Sequence, residues 1–137
     1  MSARETIFAA IEAALAGTGA TEIERMPSSD PASFPALHIM DDGQAQTEGE
    51  AGSTRYALSL SVEGYVEGSG GSAMHTALNA LYAATVAAIM GLIPTVAEIE
   101  DIEEGDLRTA VAPLASGRRL AFSQDFIITF ATRRGQP

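Results

Sequence analysis

From Leu120 to Thr132 the chain places Leu120, Phe122, Phe126, Ile128 and Phe130 at even positions and mostly smaller or polar residues between them. A repeat of two means that alternate side chains point to one face, so the segment is a long strand with a buried side. Such a strand needs a sheet to sit in and a second layer to cover its aromatic face. The run leaves the core at Arg133 and Arg134, and a second arginine pair, Arg118 and Arg119, precedes it. Two cationic ends bracketing an apolar strand place both ends at solvent, where each pair is also available to an acidic partner.

The remaining periodicities supply the other elements. Ser2 to Leu15 reads as an amphipathic helix, with Ile7, Phe8, Ile11 and Leu15 on one face and Gly17 as its stop. Ser2 and Glu5 have capping-box spacing. A short strand is expected over Thr21–Met26, a proline-rich loop over Pro27–Pro35, and a strand over Ala36–Met40. Asp41 to Ser53 turns polar and is expected to be a mobile loop. Arg55 to Val66 alternates, with Tyr56, Leu58, Leu60 and Val62 on one side, and Glu67 to Gly71 is a flexible reversal. Ser72 is placed to cap a second helix running to Met90, with Met74, Leu78, Leu81, Tyr82, Thr85 and Ile89 inward and Gly91 as a left-handed stop. Thr95 to Glu103 is expected to be a strand, Gly105-Asp106 a turn, and Leu107 to Gly117 either a hairpin arm or an extended loop, Pro113 arguing against a central strand. The fold class is therefore α+β: a mostly antiparallel sheet with two helices on one face, in the order α-β-β-β-α-β-(β)-β, forming one domain over residues 1–137.

Composition narrows the chemistry. The chain has no cysteine, which excludes disulfides, thiolate metal sites and thiol catalysis. Its net charge is −10, and all the cations are arginine. That balance opposes gripping nucleic acid, which needs clustered cations, but suits a surface past which DNA slides. The N-terminus lacks a basic, apolar, cleavable signal pattern, and Ala73–Ile93 is interrupted by His75, Thr76, Asn79, Thr85 and Gly91. We therefore expect a buried helix rather than a membrane span, and synthesis in the cytoplasm of the producing cell.

Three clusters hold residue types able to do chemistry. His38, Asp41 and Asp42 form H-x-x-D-D, short of a third convergent ligand, and read as polar residues at a strand end. Glu98, Glu100, Asp101, Glu103, Glu104 and Asp106 are dense, but strict alternation divides them between the two faces, the pattern of a charged, self-repelling edge. Gly68–Gly71 has no P-loop signature, and no G-x-S-x-G elbow exists. Neither a catalytic set nor a metal or cofactor site is assigned.

Several segments in succession resemble the tail terminator family of long-tailed bacteriophages, of the minor tail protein U type, and related neck proteins of gene transfer agents. They are the opening helix, PALHI with the following acidic pair, RYALSLSVEGYV (Arg55–Val66), ALNALYAATVAAI (Ala77–Ile89), IEDIEEGDL (Ile99–Leu107) and FIITFATRRGQP. Their order across nearly the whole chain carries the likeness; Gln136 departs from an Arg-Gly-Asp-Pro-like ending common in that family. The resemblance implies a structural virion protein at the tail–neck junction, not an enzyme and without a cofactor. It would form a ring, commonly a hexamer, that caps the tail tube, ends its polymerisation and joins it to the head-side connector, while DNA passes through without specific binding. On that expectation Arg118, Arg119, Arg133 and Arg134 pair across subunits with Glu98, Glu100, Asp101 and Glu103. Asp41, Asp42, Gln44, Glu48, Glu50, Asp106 and Arg108 lie in segments that touch tube or connector. Another connector or stopper, a tube-like subunit, and a small cytoplasmic ligand- or metal-binding enzyme using His38, Asp41, Asp42 and the acids near Glu100 are the alternatives.

Overall fold

A computed structural model describes all residues from Met1 to Pro137. The elements in chain order are α1 (Ala3–Leu15), a 3-10 turn (Ala16–Thr18), β1 (Glu22–Arg25), β2 (Ala36–Thr47), β3 (Ser53–Gly68), α2 (Ser72–Met90), β4 (Ile99–Leu114) and β5 (Gly117–Arg133). The five strands make one mixed sheet ordered β1-β2-β3-β5-β4, in which only β1 and β2 are parallel. The α+β class holds.

The centre of the sheet is the β3–β5 pair. It runs in unbroken antiparallel register from Ser53 opposite Arg133 to Gly68 opposite Arg118. Directly opposed residues share a face, so Leu58 meets Ile128, Leu60 meets Phe126 and Val62 meets Gln124 on one side. Both helices cover that side: Ile7, Phe8, Ile11 and Leu15 of α1 and Met74, Leu78, Leu81 and Ile89 of α2 join these strand residues in one buried core. Phe126, Ile128 and Phe130 are fully buried, as the alternation predicts, while Leu120 is only partly so.

Helix boundaries depart from the sequence expectation in informative ways. Ser2 Oγ accepts from the Glu5 N–H at 3.1 Å, but the Glu5 carboxylate is turned to Arg25 at 2.8 Å, so the reciprocal half of the capping box is given up for a tertiary ion pair. The left-handed stop after α1 is Gly19 (φ 86°), beyond the 3-10 turn, rather than Gly17. At α2 the N-cap is Gly71, which has no side chain to cap with, and Ser72 is already helical. Gly91 stays right-handed (φ −67°), its N–H bonding back to Ala87, because the chain continues into further tight turns before β4. By length and composition α2 is apolar enough to cross a membrane; in this fold one of its faces packs on the sheet.

Two polar stretches expected to be loops are strand. Asp41–Thr47, placed in a mobile loop, continues β2, pairing Gln44 with Leu58 through Thr47 with Arg55. Gly105-Asp106, expected to turn the chain, is a bulge inside β4, and Leu107–Leu114 is the hairpin arm of the two possibilities. The preceding strand begins at Ile99 rather than Thr95. Pro113 is tolerated because β4 is an edge strand. In both cases polarity marked an exposed strand, not an absent one.

Bulges explain why alternation misled. In β2 an extra residue falls between Asp41 and Gln44, with Gly43 at φ 91°, and in β4 another falls between Glu104 and Leu107. They lie one on each side of the Leu60–Phe126 rung. A further irregularity between Ile99 and Asp101 lets Ile99 and Ile102 both enter the core at a spacing of three.

Gly64 is opposite both Leu37 and Phe122, and the Phe122 ring lies directly on its backbone. A Cβ there would overlap the ring. Gly64→Ala is expected to cost about 1–3 kcal/mol by overpacking, read as a lower urea midpoint with unchanged m-value. Combined with Phe122→Leu, which removes the ring, the same substitution should cost measurably less than it does alone.

Candidate functional site

The face of the sheet opposite the helices carries small and charged side chains and holds several of the predicted site residues, among them Arg119, Glu100, Asp101, Glu103 and Arg108. On β3 it presents Arg55, Ala57, Ser59, Ser61, Glu63, Tyr65 and Glu67; on β5, Arg119, Ala121, Ser123, Asp125 and Ile127. Ion pairs stitch it laterally. Arg119 bonds Glu67 at 2.7 Å, its direct cross-strand neighbour, and its guanidinium lies 5.1 Å from the centre of the Phe34 ring. Arg108 of β4 makes a two-oxygen contact with Asp125 at 2.8 and 2.9 Å, which holds the Asp125 carboxyl below the usual aspartate range. Arg55 crosses the small Ala131 on β5 to reach Glu100 at 3.0 Å.

The predicted arginine–acid pairs are therefore partly used up within the chain. Arg119 belongs to Glu67, with Asp30 at 3.9 Å, and Glu100 belongs to Arg55. Arg118, Arg133 and Arg134 meet no carboxylate in their own chain, nor do Glu98, Asp101, Glu103 and Asp106 meet a cation. Arg118 lies at one end of β5 and Arg133 and Arg134 at the other; Glu98 precedes β4, and Asp101, Glu103 and Asp106 lie in the first half of β4, which pairs toward the Arg133 end. Of the tube or connector candidates, Asp42 and Gln44 lie at the β2 bulge, Asp106 and Arg108 at the β4 bulge, and Glu48 and Glu50 at the β2–β3 turn.

Asp41 points to the helix side. It receives Arg4 at 2.8 and 2.9 Å, and Arg4 also donates to the Gln44 side chain at 2.7 Å. Burial pushes the Asp41 carboxyl up, but the Gly43 N–H and the Arg4 guanidinium outweigh it, leaving the group below its ordinary value. The bulge is thus pinned to α1.

His38 does not gather Asp41 and Asp42. It is on the face opposite Asp41, away from Asp42 at the bulge, only 3% exposed, and meets β1 instead. Parallel pairing places His38 level with Glu24 and two residues along from Glu22, on the same face, so both carboxylates flank the ring. Nε2 lies 2.6 Å from Glu22 Oε2, and the ligand atoms of Glu22, Glu24 and His38 all lie within 4.8 Å of one another. The other Glu22 oxygen accepts the N–H groups of Ala32 and Ser33 at 2.9 and 3.3 Å. His38, first among these causes, and then the Ala32 N–H hold the Glu22 carboxyl below its usual range. The edge of Tyr65 packs on the imidazole with ring centres 5.4 Å apart. Sequence reasoning missed this grouping because Glu22 and Glu24 lie on a different strand, beyond the proline-rich segment. The available signal was the E-x-E spacing in a short predicted strand, which puts two acids on one face.

No protein-family model matches the chain, and no curated protein matches it.

Because Asp41 titrates below the ordinary 3.8 when folded, its contribution is present above that value and disappears as pH falls through the depressed folded pKa. Asp41→Asn should cost roughly 1 kcal/mol at pH 7, a partly exposed pair limiting the loss. Urea unfolding should show the wild-type advantage shrinking steadily below pH 4.

Proposed function

We propose that this protein is a tail-terminator subunit, a structural virion component that closes into a ring on the end of the tail tube and presents a surface to the head-side connector. The supporting observation is the pair of open sheet edges. On one edge, every β4 residue from Glu103 to Leu114 is exposed, Val111 by 65%, and only β5 pairs with it. On the other, β1 covers only Ala36–Ile39 of β2 and leaves the strand free toward Thr47. Three antiparallel steps separate β2 from β4, so the two edges run in opposite senses. Placed side by side by rotation, β4 of one copy meets β2 of the next as an antiparallel pair, the head-to-tail contact a ring requires.

The charge pattern fits the same reading. Asp101, Glu103 and Asp106 line the β4 edge without partners, and Arg118, Arg133 and Arg134 are cations without partners. A subunit contact can match these sets, and at −10 the chain offers passing DNA more repulsion than grip. Partners on this reading are further copies of the chain, the tail tube protein and the connector. The tube or connector contacts at Gln44–Glu50 belong to a strand and hairpin turn, so point substitutions there test them better than deletion. The same edges would serve a connector or a tube subunit; a closed ring confined to the tube end separates the terminator from both.

Analytical ultracentrifugation and negative-stain imaging of the protein, alone and with purified tail tubes, test the reading. Rings of fixed size that cap tubes and arrest their growth are expected. Val111→Lys should abolish capping while changing the unfolding free energy by no more than about 0.5 kcal/mol, since it is a surface substitution. Capping should weaken with added salt as the exposed charges are screened. Open-ended polymerisation of the wild type, or undiminished capping by Val111→Lys, would overturn the assignment.

A further inference from the structure

We propose that Glu22, Glu24 and His38 form a binding site for one divalent transition-metal ion of the zinc class, fastening β1 to β2. The site is independent of any ring.

His38 Nε2, a Glu22 oxygen and a Glu24 oxygen lie within 4.8 Å of one another, the spread of three ligands around a shared ion. Zinc takes imidazole nitrogen and carboxylate oxygen at about 2.0–2.2 Å, in a tetrahedral set that separates donor atoms by about 3.3 Å. The present 2.6 Å between Nε2 and Oε2 therefore opens by a fraction of an ångström. Nε2 releases the proton it shares with Oε2 to solvent, and the ion takes that proton's place. Glu24 is exposed and its carboxylate makes no hydrogen bond, so it closes on the ion with little structural cost. Water completes the fourth position on the solvent side.

The surroundings are those of a built ligand set. Ligating carboxylates are normally held by hydrogen bonds through their second oxygen, and Glu22 already has its Oε1 fixed by two backbone N–H groups. The imidazole is held by burial and by the Tyr65 edge. Two carboxylates and a neutral imidazole carry −2, which a divalent ion neutralises. The imidazole donor favours zinc, cobalt or nickel over magnesium and calcium, which prefer all-oxygen sets.

Isothermal titration of the metal-stripped full chain with ZnCl2 tests this, beside thermal unfolding with and without the ion. One equivalent should bind and raise the melting temperature by several degrees at saturation, with MgCl2 doing neither. Co2+ should give the visible absorption of a tetrahedral site. Glu24→Gln, at an exposed position, should fold normally and bind at least tenfold more weakly; His38→Gln should lose binding. If His38→Gln does not fold, Glu24→Gln and the cobalt spectrum still decide. Absence of binding at millimolar zinc, equal binding of magnesium, or unchanged affinity in Glu24→Gln would overturn the proposal.

Discussion

The sixteen-residue strand β3 and its unbroken register with β5 govern everything else in this molecule. Because neither strand slips against the other, the even positions of both point to one side along their whole length, and that side becomes the floor for two helices. The irregularities are pushed outward, into β2 and β4, where an extra residue disturbs one neighbour instead of two. The closeness of Phe122 to Gly64 belongs to the same pairing: a large ring on one strand is accommodated by a missing side chain on the other. A one-residue shift would turn Phe126, Ile128 and Phe130 toward Ser59, Ser61 and Asp125's side of the sheet, removing the core and exposing it in one step.

That dominance explains what could be read in the sequence. The buried faces of α1, α2, β3 and β5 are legible because each is a regular repeat packed against a full second layer, and Ile7, Phe8, Ile11 and Leu15 are all found where their spacing puts them. The outer strands are not, because an edge exposed on both faces has no reason to be apolar. Asp41–Thr47 and Leu107–Leu114 hold their strand geometry through hydrogen bonds to a neighbour, which leaves no mark on composition. The acids of β4 were divided between faces by counting, and the bulge at Glu100 falsifies the count: Arg55 draws Glu100 to the helix-free side, where Asp101 and Glu103 also lie. The histidine cluster was hidden for a different reason. A parallel pairing joins residues separated by a loop, and no local pattern records which carboxylate will stand beside a given ring.

The open face and the core use charge in different ways. On the helix-free side, arginine stems lie across small residues such as Ala131 and carry the charge laterally from strand to strand. At the β2 bulge Arg4 does the opposite work, tying one loop of backbone to the start of a helix through Asp41 and Gln44. Five of the eight arginines serve the fold in such pairs, which concentrates the question of external contacts on Arg118, Arg133 and Arg134.

The two glycine-bearing bulges flank a single rung, Leu60 with Phe126. Each gives its strand additional twist at that height, so both margins of the sheet change direction together. The two places of altered twist sit at nearly the same height, one on each side of the regular β3–β5 pair. Matched bulges at one height keep the outline of one side in step with the outline of the other. Lengthening or shortening only one bulge would put the two outlines out of step while leaving the buried centre untouched, so the shape of this domain's rim can drift independently of its stability.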